Sequence, residues 1–226
     1  MYPQRLVSQA LTLGLLVTLL VLVLSACGGG EKEAKARPLP EDEKALRPGT
    51  YHSEEFKPSF SFKVGEGWTN APLETSDQLQ IRRTHETGGL GFGVIHEVYK
   101  PSETASPNLT KAPKDMVGWF QHHPYLKTSK PKPVTVGGVK GEQFDVLVGN
   151  LPEDYSGVCG TECVDITRFS DGSILGAPKE NKARLIVLED VKGKTVTMGF
   201  SSPATEFDEF ALKAQKVFDS VKWTSS

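Results

Sequence analysis

The sequence predicts an α+β domain, a mainly antiparallel β-sheet of about seven strands covered by helices, preceded by an N-terminal signal helix and a flexible tether. Three observations predict it: short runs with apolar residues at alternate positions, Gly-containing breaks between consecutive runs, and two segments with helical spacing, one internal and one terminal. Short connections favour antiparallel pairing, and elements that bury one face each stack into layers.

The first run holds Phe60, Phe62 and Val64 and stops at Gly65-Glu66-Gly67-Trp68. Residues 79–83 and 90–99 form the next pair around Gly88-Gly89, the second with Leu90, Phe92, Val94, His96 and Val98 on one face. A helix is expected over 114–122, where Pro113 suits the start, Met116, Trp119 and Phe120 share a side, and Pro124 ends it. Residues 134–136 and 139–148 flank Gly137-Gly138, a pair suited to the positive φ of a two-residue hairpin. Residues 164–169, 183–191 and 195–200 complete the strands, with Lys192-Gly193 turning between the last two. The terminal helix takes Thr205 as its cap, with Asp208 three residues on. It gathers Phe207, Phe210, Ala211, Ala214, Val217, Phe218 and Val221 into an arc of about 120°.

Residues 1–26 carry a different signature. Arg5 gives a basic start, and the 21 residues from Leu6 to Ala26 hold no charge, a pattern of export. Leu24-Ser25-Ala26-Cys27 resembles the bacterial lipobox. That resemblance implies cleavage between Ala26 and Cys27 and a diacylglycerol thioether on the Cys27 sulfur, so that membrane lipid becomes a partner through acylation. Two or three acyl chains anchor a protein stably where one does not. An uncleaved membrane helix is the competing reading, because about 20 apolar residues suffice to span.

Residues 27–47 read as the lipidated Cys and a disordered tether. From Gly28 to Arg47 there is no aromatic or β-branched residue, and five bases face five acids. Twenty such residues span about 25 Å root-mean-square as a coil. The domain itself is expected over 48–226. The chain has 26 Lys plus Arg against 28 Asp plus Glu, with no basic cluster able to neutralise a run of phosphates, which excludes nucleic acid as a partner.

The strand Phe60-x-Phe62-x-Val64, the following Gly67-Trp68, the antiparallel middle and the terminal helix ending Asp219-Ser220-Val221-Lys222-Trp223 resemble the PsbP-like group, which includes LpqN-like bacterial envelope lipoproteins. The resemblance covers residues 58–223. It implies an α/β/α sandwich with a non-catalytic, partner-binding role, while the lipobox resemblance implies a lipid anchor on the extracytoplasmic face of the cell membrane. It carries over no functional residue.

Cys159 and Cys163 are the two thiols left once Cys27 is alkylated, and an exported chain meets oxidising conditions, so a disulfide is expected between them. The alternative is a redox or Cu(I) site completed by His96 or His122, which in proteins of similar Cys spacing needs a helix after the second cysteine. None is predicted there. His122-His123, with His52, His85 and His96 more remote, lacks the i, i+4 spacing of a helical zinc pair, and no metal or cofactor is expected. No Gly-x-Ser-x-Gly or His-Glu-x-x-His motif points to a hydrolase.

The sequence therefore reads as a membrane-anchored accessory or binding module of the cell envelope, not an enzyme. Two alternatives stand beside it: a carrier whose Trp119, Phe120 and terminal-helix phenylalanines line a pocket for a lipid or other apolar ligand, and an envelope hydrolase. The partner is expected to be a protein or small apolar ligand. Residues 100–112 and 149–163, long irregular segments between strands, are the expected recognition surfaces.

Overall fold

The computed structural model describes residues 35–101 and 108–224. The signal segment, Cys27 and the first part of the tether lie outside the described residues.

In chain order the strands are β1 (Arg37–Pro38), β2 (Ala45–Leu46), β3 (Gly49–His52), β4 (Phe60–Val64), β5 (Trp68–Glu74), β6 (Gln78–Arg83), β7 (Gly89–Gly93), β8 (Glu97–Tyr99) and β9 (Leu109–Lys111). Helix α1 (Met116–Gln121) precedes β10 (Leu126–Thr128), β11 (Lys132–Val136), β12 (Val139–Val148), β13 (Ser156–Gly157), β14 (Gly160–Thr161), β15 (Cys163–Arg168), β16 (Ile174–Pro178), β17 (Asn181–Val191) and β18 (Lys194–Pro203). Helix α2 (Phe207–Asp219) and β19 (Lys222–Trp223) follow.

The α+β class holds, but the sheet is larger than expected. Nine strands run in the order β10-β12-β17-β18-β7-β6-β5-β2, with β11 also beside β12. Three of its strands, β10, β5 and β2, are not among those expected, and β10 and β2 are too short to show alternation in the sequence; the expected strands at 60–64 and 164–169 pair outside this sheet, as β4 and β15. A second sheet has the order β1-β3-β4-β19, and β8–β9, β13–β14 and β15–β16 form separate pairs. Among the described ladders only β1 with β3 is parallel.

Both faces of the main sheet are buried, as the alternation along β17 shows. Ile186 and Leu188 enter one apolar cluster, and Leu185 and Val187 the other. The first cluster receives Phe60, Phe62 and Val64 from β4 and Phe207, Phe210, Phe218 and Val217 from α2. Its rings interlock, with Phe60 4.3 Å from Phe92 and Phe200 5.7 Å from Phe207 between centroids. The second cluster receives Met116, Val117 and Phe120 from α1, Val98 from β8, and Val164 and Ile166 from β15. Each face thus carries one helix and a smaller sheet or pair.

The two hairpins turn where the sequence places them. Gly137 and Gly138 have φ of 57° and 84° between the paired Val136 and Val139. Lys192 and Gly193 have φ of 54° and 80° between Val191 and Lys194. Left-handed φ at both central residues matches the twist of the flanking strands.

Three local expectations are corrected. The tether does not extend to Arg47. Arg37 lies over the Tyr51 ring at 4.6 Å and donates to the carbonyls of Arg47 and Pro48 at 3.0 Å, and Leu39 and Leu46 are buried. Composition measures whether a segment can build a core alone, not whether two leucines can join one already present. Residues 90–99 are not one strand. Val94 N donates to Asp77 O at 2.8 Å as the chain leaves the sheet, His96 is exposed, and Val98 reaches the opposite cluster from Phe92. The helix caps also shift: Asp115 caps α1 by accepting from Gly118 N at 2.7 Å, and Glu206, not Thr205, occupies the cap position of α2 without a side-chain bond.

Candidate functional site

Of the two expected recognition surfaces, the first contains residues 102–107, outside the described residues. The second is built as a braced hairpin. Strands β13 and β14 pair at Ser156–Thr161 and Gly157–Gly160, and Cys159 and Cys163 are joined by a disulfide with their Cα atoms 5.8 Å apart. Asp165, buried in β15, accepts from Val158 N at 2.7 Å and Cys159 N at 2.8 Å. Backbone amides bonded to a carboxylate are held more firmly than by neutral acceptors. The disulfide rests on β16, where a Cβ on Gly176 would stand 2.5 Å from Cys159 Sγ. These supports leave Val158 at the tip, 45% exposed.

Beside the hairpin lies an aromatic cluster. Trp119 and His123 are 5.0 Å apart, His123 and Tyr125 6.0 Å, and Tyr125 and Tyr155 5.2 Å, all edge-on. Trp119, Tyr125, Val148, Leu151 and Tyr155 are only partly buried against the second core cluster. They leave aromatic and aliphatic groups partly open to solvent, and Tyr155 lies directly before β13 of the hairpin.

The adjacent histidines do not converge. His122 is exposed and its Nδ1 meets Gly118 O at 2.7 Å at the end of α1. His123 points inward, and its Nδ1 accepts from Tyr125 N at 3.3 Å. Burial alone depresses its pKa to about 4, so the ring is neutral at pH 7. His52 sits 3.7 Å from Glu54. Among the described residues no three His, Cys, Asp or Glu side chains are grouped to hold a metal ion.

A hydrolytic arrangement would need a serine within reach of a base. Asp77 and Ser170 meet, but in another relation: the buried Asp77 carboxylate accepts from Ser170 Oγ at 2.8 Å, Ser170 N at 2.9 Å and Thr75 Oγ1 at 2.8 Å. Burial pushes the Asp77 carboxyl up, but the bonds from Ser170 and Thr75 outweigh it and hold the group below the usual carboxylate range. A serine donating directly to an aspartate lacks the interposed imidazole that accepts its proton in a triad. Gln78 Nε2 adds bonds to Asp171 Oδ2 at 2.8 Å and Ser173 Oγ at 2.5 Å. The five side chains of Asp77, Gln78, Ser170, Asp171 and Ser173 clip the turn after β15 to the start of β6. No sequence signal announces this clip, because its halves lie 93 residues apart.

The expected apolar pocket is not assembled. Phe120 packs in the second cluster and Phe207, Phe210 and Phe218 in the first, on opposite sheet faces. A cleft of about 170 Å³ at the start of α2 is lined by Glu86, Thr87, Ser202, Glu206, Glu209 and Phe210. Lys213 Nζ lies 2.9 Å from Glu86 and 2.8 Å from Glu209, a polar setting unlike an apolar ligand site.

No family model matches the sequence, and no curated protein matches it. By fold the chain is similar to the cyanobacterial PsbP protein CyanoP of Synechocystis, at 14% identity and a TM-score of 0.43 over 79% of this chain and 95% of that one. It is similar to LpqN of Mycobacterium tuberculosis, a protein involved in cell envelope biogenesis, at 12% identity and a TM-score of 0.38 over 81% and 91%. It is also similar to the Ran-binding protein Mog1p of Saccharomyces cerevisiae, at 8% identity and a TM-score of 0.41 over 78% and 96%. The likeness is one of fold alone.

Proposed function

We propose that this protein is an exported envelope lipoprotein, held to the membrane through acylated Cys27, whose domain acts as a non-catalytic binding module. The observation that carries the reading is Leu24-Ser25-Ala26-Cys27 at the end of an uncharged stretch of 21 residues. The sulfur of Cys27 is the nucleophile that forms the thioether, and the small residues before it fit the extended approach of a peptidase. The partner surface in this reading is the braced hairpin with Tyr125 and Tyr155. A fixed backbone bearing exposed apolar groups loses little conformational entropy on binding.

Intact mass of the full chain extracted from bacterial membranes tests the anchor. The expected species starts at Cys27 and carries diacylglycerol, and Cys27→Ala leaves the leader uncut. Recovery of the natural sequence with residues 1–26 attached and a free Cys27 thiol refutes the anchor. Crosslinking on intact cells tests the surface: Val158→Glu with Tyr155→Ala is expected to lose discrete partners, and an unchanged partner set refutes that assignment.

A further inference from the structure

Tyr125 holds both ends of the loop that leads into the braced hairpin. Its carbonyl accepts from Gly149 N at 2.7 Å, and its ring packs against Tyr155. Its own amide is received by His123 Nδ1 at 3.3 Å. An imidazole accepts at Nδ1 only when that nitrogen carries no proton. Protonation there sets a donor against a donor.

The surroundings offer an imidazolium no counter-charge. From α1, Trp119 contributes a ring without a titratable group. From the approach to β10, Tyr125 contributes a phenol, and behind it stands Tyr155, whose phenol is pushed up by burial and by the Asp165 carboxylate. The neighbouring His122 is turned to Gly118 O. Among the described residues no carboxylate pairs with His123, whose ring is shifted by burial alone. A charge entering so dry a place is accommodated by opening it to water.

We propose that His123 is an acid sensor whose protonation releases Tyr125 and with it the 149–155 loop, so that the hairpin surface is rigid near neutrality and loosened in acid. The inference rests on the reading of that surface as the partner site. With the imidazole at about 4 when seated and near its ordinary 6.5 when released, opening of the loop is favoured about 30-fold more at pH 5 than at pH 7.5. The sign follows from the protons bound: the open form binds more of them throughout this range, so acid draws the equilibrium toward it.

Amide hydrogen exchange on the full chain, corrected for the intrinsic pH dependence of exchange, measures the opening. Protection of the Gly149 and Tyr125 amides is expected to fall about 30-fold from pH 7.5 to 5. His123→Phe should abolish the fall, and His122→Phe should leave it. Constant protection in the natural sequence, or an equal fall in His123→Phe, overturns the proposal. Should His123→Phe misfold, the imidazole titration followed by NMR in the unmodified protein decides: a midpoint near 6.5, or one near 4 without accompanying shifts at Gly149, overturns it equally. Exchange needs no partner, so these outcomes bear on the sensor alone, while the crosslinking experiment above bears on the partner surface alone.

Discussion

Replacing Thr197 by Val should make the protein more stable. Thr197 lies in β18 between Gly93 of β7 and Val187 of β17 and is 5% exposed. Among the described residues its Oγ1 has no hydrogen-bond partner. A buried hydroxyl without a partner has lost its water and gained nothing, which costs about 1–3 kcal/mol. Valine keeps the branched shape that suits a strand and exchanges only the hydroxyl for a methyl. Taking the low end, because the substitution also asks the site to admit a slightly larger group, the expected gain is about 1 kcal/mol. For a domain of this size that raises Tm by about 2–4 °C. Thr197→Ser is the matched opposite: it keeps the hydroxyl, loses the methyl and should cost about 1 kcal/mol. Guanidinium unfolding of both variants beside the natural sequence gives the comparison, with unchanged slope as the check that only stability moved. A Val variant no more stable than the natural sequence shows that the hydroxyl is bonded, and the reasoning fails.

Two further outcomes follow from the clip and the disulfide. Asp77 has a depressed pKa, so its stabilisation is complete above the ordinary carboxylate value and is lost as pH falls through the depressed one. Asp77→Asn should therefore flatten the acid limb of stability below about pH 4 and cost about 2 kcal/mol at neutral pH, measured by urea midpoints from pH 3 to 7. Replacing Cys159 and Cys163 by Ser opens a ring of five residues, whose closure is worth about 2 kcal/mol in the chain-entropy model. The loss should appear in thermal unfolding, while the Val158 and Cys159 amides stay protected by Asp165.

What could be read from the residues was what repeats locally. The α2 face, from Phe207 to Phe218, is buried as its spacing requires, and the β11–β12 and β17–β18 hairpins turn at the expected glycines. The disulfide followed from thiol arithmetic. The parts that escaped depend on contacts between distant segments. β1 and β2 are pairs of residues that become strands only because β3 and β5 offer them an edge. The clip joins Asp77 and Gln78 to a turn whose sequence, Ser170-Asp171-Gly172-Ser173, reads merely as a loop. At the candidate site, residues 149–163 were legible as an irregular segment between strands, but the aromatic link from Trp119 to Tyr155 was not, because His123 gives no sign in the sequence of facing inward.

The β10–β11 rim of the main sheet has a bearing on crowding. Lys127, Lys130 and Lys132 are exposed there, and Pro131 and Pro133 interrupt the amides that a neighbouring chain would need to zip alongside. Like charges and missing donors discourage any second molecule from extending the ladder. A rim so defended lets copies meet at high concentration without zipping edge to edge.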